Sequence, residues 1–367
     1  MKAKKILYIT PGLNIGGAEK FIITLANGLA SGAEQQVMVS LVEKNVLTKD
    51  LDPSIQFIAL PRRSRFDTRP LLQLRKLIRE EKPDVIFCIN FFTYAFSRLA
   101  CFFRSSGCRR IISYHSTIHV NRKEYYMHQL YRNILTKRDL IVTVSMNQQT
   151  YTQKELRLPS SKFKTIHNGI DTDYWKLPPE GDQTRQELRA KYNIPADAKL
   201  IVKAASFRVE KNHTGAIKAL HQLHHQYKCK AWLMFLGDGP MLEEVKKLTK
   251  ELALDDYVVF AGMQPNVQPF YWAADLFTLT STSVETFSIA ALEAMASGLP
   301  CVLTDIGGAS EMIEPGVNGY LCTPDEEEIA AKWHQALTRD FPKESIFQRV
   351  VERFSADKMV EEYWKIL

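Results

Sequence analysis

The sequence predicts an α/β protein of two tandem domains, each a parallel sheet with helical crossovers, with a ligand cleft between the carboxyl ends of the two sheets. Three observations predict it. The chain has 367 residues, and a single core stops growing at roughly 250–300 residues. Short apolar runs alternate with amphipathic stretches throughout, which is the pattern of βαβ units. The charge is divided, with 27 Lys and Arg against 12 Asp and Glu over residues 1–170, and 21 against 29 over 171–367. A basic half therefore meets an acidic one near residue 170. At 45% hydrophobic and 24% charged residues, the composition is that of a globular chain and excludes disorder and coiled coil.

In chain order, residues 5–10 read as a strand, 18–30 as a helix, 36–42 as a strand and 70–81 as a helix. The apolar run 85–103 is 19 residues long and is interrupted by Asn90 and Arg98. That is marginal for a membrane span, and it reads instead as a strand over 85–89 followed by a helix. Strands follow at 110–114 and 140–144. The stretch KLPPEGDQ, 176–183, is rich in proline, glycine and charge and is the candidate linker. The expected domains are thus 1–175 and 184–350. Beyond the linker, strands are expected at 200–205, 230–236, 257–261, 276–279 and 300–304, with helices at 213–226 and 241–252. At the end, Met359, Tyr363 and Leu367 recur every four residues, marking one face of a helix within 354–367.

The opening MKAKKILYITPGLN has a basic start but an apolar run too short for a signal peptide. The six cysteines form no CxxC pair and no metal-ligand spacing, as befits buried thiols in a reducing compartment. A cytoplasmic location is expected. Arg62, Arg63, Arg65 and Arg69, with Arg104, Arg109 and Arg110, form basic clusters in the first half. They suit either a solvated surface or attraction to an anionic membrane or acceptor. No nucleic-acid-binding motif accompanies them.

The most informative segment is ETFSIAALEAMASGLP, 285–300. Residues 287–297 contain neither Pro nor Gly and read as a helix, with Ser288 or Thr286 as its cap and Gly298 as its stop. A helix amino end offers free N–H groups and the positive end of a dipole, which suits a diphosphate. Glu285 stands at that mouth and Glu293 eight residues on, roughly 12 Å along a continuous helix. Carboxylates so spaced suit a ligand with vicinal hydroxyls at both ends of a diphosphate. They equally suit a helix start and a solvated face.

This segment resembles the Glu-x7-Glu motif of the retaining glycosyltransferases of family 4, which have the GT-B fold of two Rossmann-like domains. Other motifs occur in the family's order: Gly16-Gly17, Asn168-Gly169-Ile170-Asp171, the basic stretch 206–213, Gly237-Asp238-Gly239-Pro240, and Gly307-Gly308-Ala309-Ser310-Glu311. The resemblance implies roles. Glu285 would bind hydroxyls of the transferred sugar and Glu293 the nucleotide ribose. Phe287, Ser288 and Ile289 would present backbone to the diphosphate or sugar. Lys211 would neutralise leaving-group charge, with Arg208 in support. Gly16 and Gly17 would let backbone approach phosphate or acceptor, and His115 would lie near the sugar. It also implies that the last helix returns to the first domain. Two departures stand out. Ser206 occupies the family's arginine slot, and Thr286 and Ser288 replace two glycines.

The expectation is a hexosyltransferase that retains configuration. Its donor would be a nucleotide sugar, UDP before GDP, and its acceptor a glycan or lipid-linked glycan in surface-polysaccharide assembly, at the cytoplasmic face of a membrane. No DxD or other metal constellation is present, and neither a cofactor nor an essential metal is expected. Three alternatives are a phosphorylase of the same fold, a non-catalytic partner, and a dehydrogenase. The last lacks a GxGxxG after the first strand.

Overall fold

The computed structural model describes residues 4–14, 16–64, 67–101, 108–115, 122–283 and 285–367. The chain forms two compact units. One takes the chain up to Gly169 together with Ala356–Leu367, and the other takes Ile170–Ser355.

The first unit holds seven strands: β1 (Lys5–Thr10), β2 (Gln35–Ser40), β3 (Gln56–Ala59), β4 (Val85–Cys88), β5 (Arg109–Tyr114), β6 (Leu140–Thr143) and β7 (Phe163–Thr165). They lie in the order β3-β2-β1-β4-β5-β6-β7, every pair parallel. The second unit holds β8 (Lys199–Ala204), β9 (Ala231–Leu236), β10 (Val258–Gly262), β11 (Leu276–Leu279), β12 (Cys301–Thr304) and β13 (Gly319–Cys322). Their order is β10-β9-β8-β11-β12-β13, again all parallel. Central strands such as VIFC and LIVT are buried at every residue, as strands covered by helices on both faces must be. Both orders are those of a Rossmann sheet. In each, the direction of growth reverses beside the first strand, between β1 and β4 and between β8 and β11. Ligands bind at such switch points, outside the carboxyl ends of the strands.

The run 85–103 is strand β4 and the helix Phe91–Ala100. Asn90 starts that helix with a reciprocal cap, its side chain accepting from the Thr93 amide at 2.9 Å. No helix among the described residues is long and apolar enough to cross a membrane. β3, β7 and β13 lie outside the strands expected from the sequence. The helix expected over 287–297 spans Ile289–Ala296, because Ser288 is extended and its hydroxyl accepts from the Ala291 amide at 3.2 Å.

The chain passes between units at Gly169–Ile170 and again at Ser355–Ala356. The stretch 176–183, read as the linker, lies inside the second unit. The Trp272 indole donates to the Lys176 carbonyl at 2.8 Å, and Arg185 just beyond is held by Asp275 at 2.8 Å. These bonds tie proline-rich backbone to the body of that unit. Ile170 forms a bridge with Ser355, its amide donating to the Phe354 carbonyl at 3.0 Å. The helix Ala356–Trp364 packs on the helix Gly17–Leu29 of the first unit. Its Tyr363 is fully buried, with ring centroids 6.0 Å from Phe21 and 5.5 Å from Phe87.

Candidate active site

The switch point of the second sheet gathers chemistry from residues far apart in sequence. β8 leads through Ser206 and Phe207 into a single 3-10 turn, Val209–Lys211, that carries Lys211. β11 leads through Thr280 and Ser281 to Glu285. There the Lys211 ammonium is paired with the Glu285 carboxylate, which also accepts from the Ser281 hydroxyl at 3.0 Å. The two side chains are 21% and 16% exposed. The pair is therefore sheltered enough for its charges to matter, yet open enough to exchange partners with a ligand.

The loop bearing Glu285 is held from behind. Gly307, just past β12, adopts φ +63°, and a Cβ there would overlap the Glu285 carbonyl oxygen. The Gly308 amide donates to the Thr286 carbonyl at 2.7 Å. Only glycine fits that close approach at that backbone angle. The loop bearing Lys211 is held likewise, the Phe207 amide donating to the Asp238 carbonyl at 3.0 Å. Both glycine-containing motifs thus act on the two loops that present the ion pair.

Phe287 is buried, its ring 5.4 Å from Phe354 and near edge-on, which anchors the turn into the helix. Ser288 and Ile289 form the amino end of that helix, where the first N–H groups have no intrahelical acceptor. Glu293 is only 3% exposed and lies beside Tyr271. Burial first, and then the Glu293 carboxylate, push the Tyr271 phenol well above its ordinary value. The spacing of Glu285 and Glu293 is not eight helical residues, because the chain is helical only from Ile289.

Arg208 is not brought to the ion pair. It precedes the 3-10 turn in extended conformation, and its side chain is 66% exposed with Nη1 4.0 Å from Glu210.

Gly16, Gly17 and His115 belong to the first unit. Gly17 opens the helix Gly17–Leu29, and Gly16 before it has φ −175°, an extended backbone that any residue adopts. A side chain at Gly16 would instead meet the Glu19 carboxylate. His115 follows β5 directly. Its Nε2 lies 2.9 Å from the Ser113 hydroxyl and its ring 4.5 Å from that of Phe21. Burial lowers its imidazole to about 4, so it is neutral at physiological pH and can act as a hydrogen-bonding group rather than a cation.

One residue escaped the reading of the sequence. Lys203 interrupts the apolar run of β8 and is fully buried. Its ammonium donates to the carbonyls of Lys211 and Asn212, at 2.5 and 3.5 Å, and to the Thr280 hydroxyl at 2.5 Å. A lysine inside a buried strand was the available signal. Among the described residues, no three His, Cys, Asp or Glu gather as metal ligands.

Two family descriptions match the chain in succession. Glycosyltransferase Family 4 matches residues 15–174 and Glycosyl transferases group 1 matches residues 184–349, together covering most of its length. The chain is 31% identical over 243 residues to N-acetyl-alpha-D-glucosaminyl L-malate synthase of Bacillus anthracis, covering 65% of this chain and 61% of the synthase. It therefore spans less than two thirds of that relative. It is 26% identical over 373 residues to the lipopolysaccharide core biosynthesis glycosyltransferase LpsE of Rhizobium meliloti, covering 96% of each. Among solved structures, HepE of Anabaena in complex with UDP and glucose superposes with a TM-score of 0.81 at 20% identity, over 99% of this chain and 98% of that one. A glycosyltransferase from Rickettsia africae superposes with a TM-score of 0.84, also at 20% identity, over 100% and 98%.

Proposed function

We propose that this chain, which belongs to glycosyltransferase family 4 and has the GT-B fold, moves a hexose or N-acetylhexosamine from a nucleotide sugar to a glycan or lipid-linked glycan with retention of configuration. One observation carries the reading. Lys211 and Glu285, 74 residues apart, are paired at the switch point of the second sheet, on loops that glycine motifs hold in place. A carboxylate there accepts hydrogen bonds from sugar hydroxyls, and a cation beside it meets a diphosphate. The donor exchanges one pair for two better ones. Its hydroxyls take Glu285, and its phosphates take Lys211 together with the amide groups at Ser288 and Ile289.

In the transfer, the bond between the anomeric carbon and the phosphate oxygen breaks as the acceptor hydroxyl forms the new glycosidic bond on the same face. The departing diphosphate takes the acceptor's proton. Negative charge grows on that leaving group, and Lys211 stabilises it. Glu293 is assigned to the nucleotide ribose, as the resemblance to the family implies. Arg208, held near Glu210, is given no more than a long-range contribution. UDP is favoured over GDP because the relatives HepE and a staphylococcal TarM variant are described with UDP. A role in glycoconjugate assembly is favoured by the names of the synthase and of LpsE.

The test is a screen of UDP- and GDP-sugars by thermal shift. A ligand at 100 times its dissociation constant adds about 2.7 kcal/mol. Turnover of the hit is then measured in chelator. Lys211→Ala and Glu285→Ala are each expected to lose at least about 10²-fold in kcat, the scale of losing one transition-state donor. Near-normal turnover in both would refute the assigned roles.

A further inference from the structure

We infer that Lys203 is a positioning residue of this transfer. Its buried ammonium fixes the main chain that carries Lys211 and ties it to the loop that carries Glu285. The inference rests on the reading of Lys211 given above.

An ammonium has three donors and no acceptor. Here three acceptors surround it: the carbonyl oxygens of Lys211 and Asn212 and the hydroxyl oxygen of Thr280. Thr280 passes its own proton on to the Asn212 carbonyl at 2.8 Å. The knot therefore closes on both loops at once. One is the turn after β8 and the other is the chain that continues through Ser281 to Glu285.

Among the described residues, no carboxylate lies within salt-bridge distance of Lys203. Burial, and then the charge of Lys211, push the Lys203 amine well below its ordinary value. A polar head so buried without a carboxylate partner is a burden on stability, and an apolar residue like its neighbours Ile201 and Val202 would pack there at no such cost. What an apolar residue cannot supply is a donor to the two carbonyls at the end of the turn. Asn212 also takes a left-handed backbone, φ 49°, and its side chain accepts from the Gly215 amide at 3.0 Å to start the next helix. His213 stacks on Phe207 with centroids 4.0 Å apart. The turn is thus clasped by the Phe207–His213 stack and by the Lys203 ammonium, and Lys211 is the residue so presented.

The test is a double-mutant cycle read in steady-state kinetics, with UDP-glucose and UDP-N-acetylglucosamine as donor probes and UDP titrated calorimetrically. Lys203→Met keeps the length of the side chain and removes the donors. It should lower kcat by up to about 10²-fold, the effect of a small misplacement of a catalytic group, while KM and UDP affinity change little. The double variant Lys203→Met/Lys211→Ala should be no slower than Lys211→Ala, because Lys203 acts through Lys211. Multiplying losses, or an unchanged kcat in Lys203→Met, overturns the inference. If Lys203→Met does not fold, Thr280→Val enters the same cycle, with a smaller loss and the same non-additivity expected. Near-normal turnover of Lys211→Ala would sink the functional reading itself. An impaired Lys211→Ala combined with an independent Lys203 effect would sink only this inference.

Discussion

His213 shows how strongly one residue can be conditioned by its neighbours. Burial, then the charges of Lys203 and Lys211, hold its imidazole down at about 2. A histidine in an unfolded chain titrates near about 6.5. Below that pH the unfolded state binds a proton that the folded state refuses, so stability falls as pH falls through the window from 6.5 toward 2. Between pH 7 and 5.5 this one group should remove about 1 kcal/mol. His213→Phe, which keeps a ring against Phe207, should lessen the pH dependence of the urea midpoint by that amount. An equal slope in both proteins would refute the assignment. At this scale the sequence was partly legible. Glu285 stood out because a carboxylate before a helix is a local pattern, whereas Lys211 stood out only through the resemblance of the basic stretch 206–213 to the family motif. Arg208 is less legible, because whether a side chain three residues from Lys211 faces the same way depends on the turn between them, and here its guanidinium lies 4.0 Å from Glu210. Lys203 is not legible in the sequence, because its partners come from a turn eight residues on and from Thr280 just past β11, and no local pattern announces that pairing.

At the scale of elements, the loops matter more than the strands they follow. Gly307 holds Glu285 by allowing its carbonyl to come close. Gly307→Ala introduces both a clash and a backbone strain of about 1–3 kcal/mol, and it should lower turnover by displacing the Glu285 loop. Gly316 has a similar angle, φ +78°, but its nearest neighbour is the Arg339 guanidinium at 3.5 Å. Gly316→Ala should therefore strain the chain comparably and leave turnover intact. Comparable kinetics in the two variants would reduce the effect to stability alone. Most central strands were legible as apolar runs. β3 was not, because its exposed and half-buried residues at the sheet edge carry little apolar signal. The helix Thr184–Lys191 was not, because only Leu188 and Arg189 of its eight residues are buried. Its place is set by Arg185 and Arg189 gripping Asp275 at 2.8 and 2.7 Å.

For the whole molecule, the basic first half is the feature that bears on where the enzyme works. Besides its charge it exposes Leu99 and Leu130, at 57% and 56%, on the helices Phe91–Ala100 and Arg122–Asn133. The proposed lipid-linked acceptor places such a surface near anionic headgroups, where each basic residue contributes about 1 kcal/mol. Cosedimentation with phosphatidylglycerol vesicles should be seen at low ionic strength and fade as salt screens the charges. No binding even at low salt would remove this part of the proposal. The alternation in the sequence was enough to suggest parallel sheets with helical crossovers, but not the order of their strands, because right-handed winding fixes the side on which each helix packs and not where each strand is added. The site of crossing was only half legible. The charge divide fell near residue 170, whereas the prolines of 176–183 pointed to a stretch that the second unit absorbs.

The helix Ala356–Trp364 has a consequence for how the protein is made. Its Tyr363, Val360 and Trp364 cover Phe21, Gly28 and Gly32, so the first unit is unfinished until this helix has been synthesised and has emerged from the ribosome. The inserted unit, complete by Ser355, is the first able to close its core during translation. The earlier half must wait with an apolar face uncovered. At about 5–20 residues per second, that delay amounts to at least several seconds, during which the nascent enzyme is most exposed to aggregation and to the cell's chaperones.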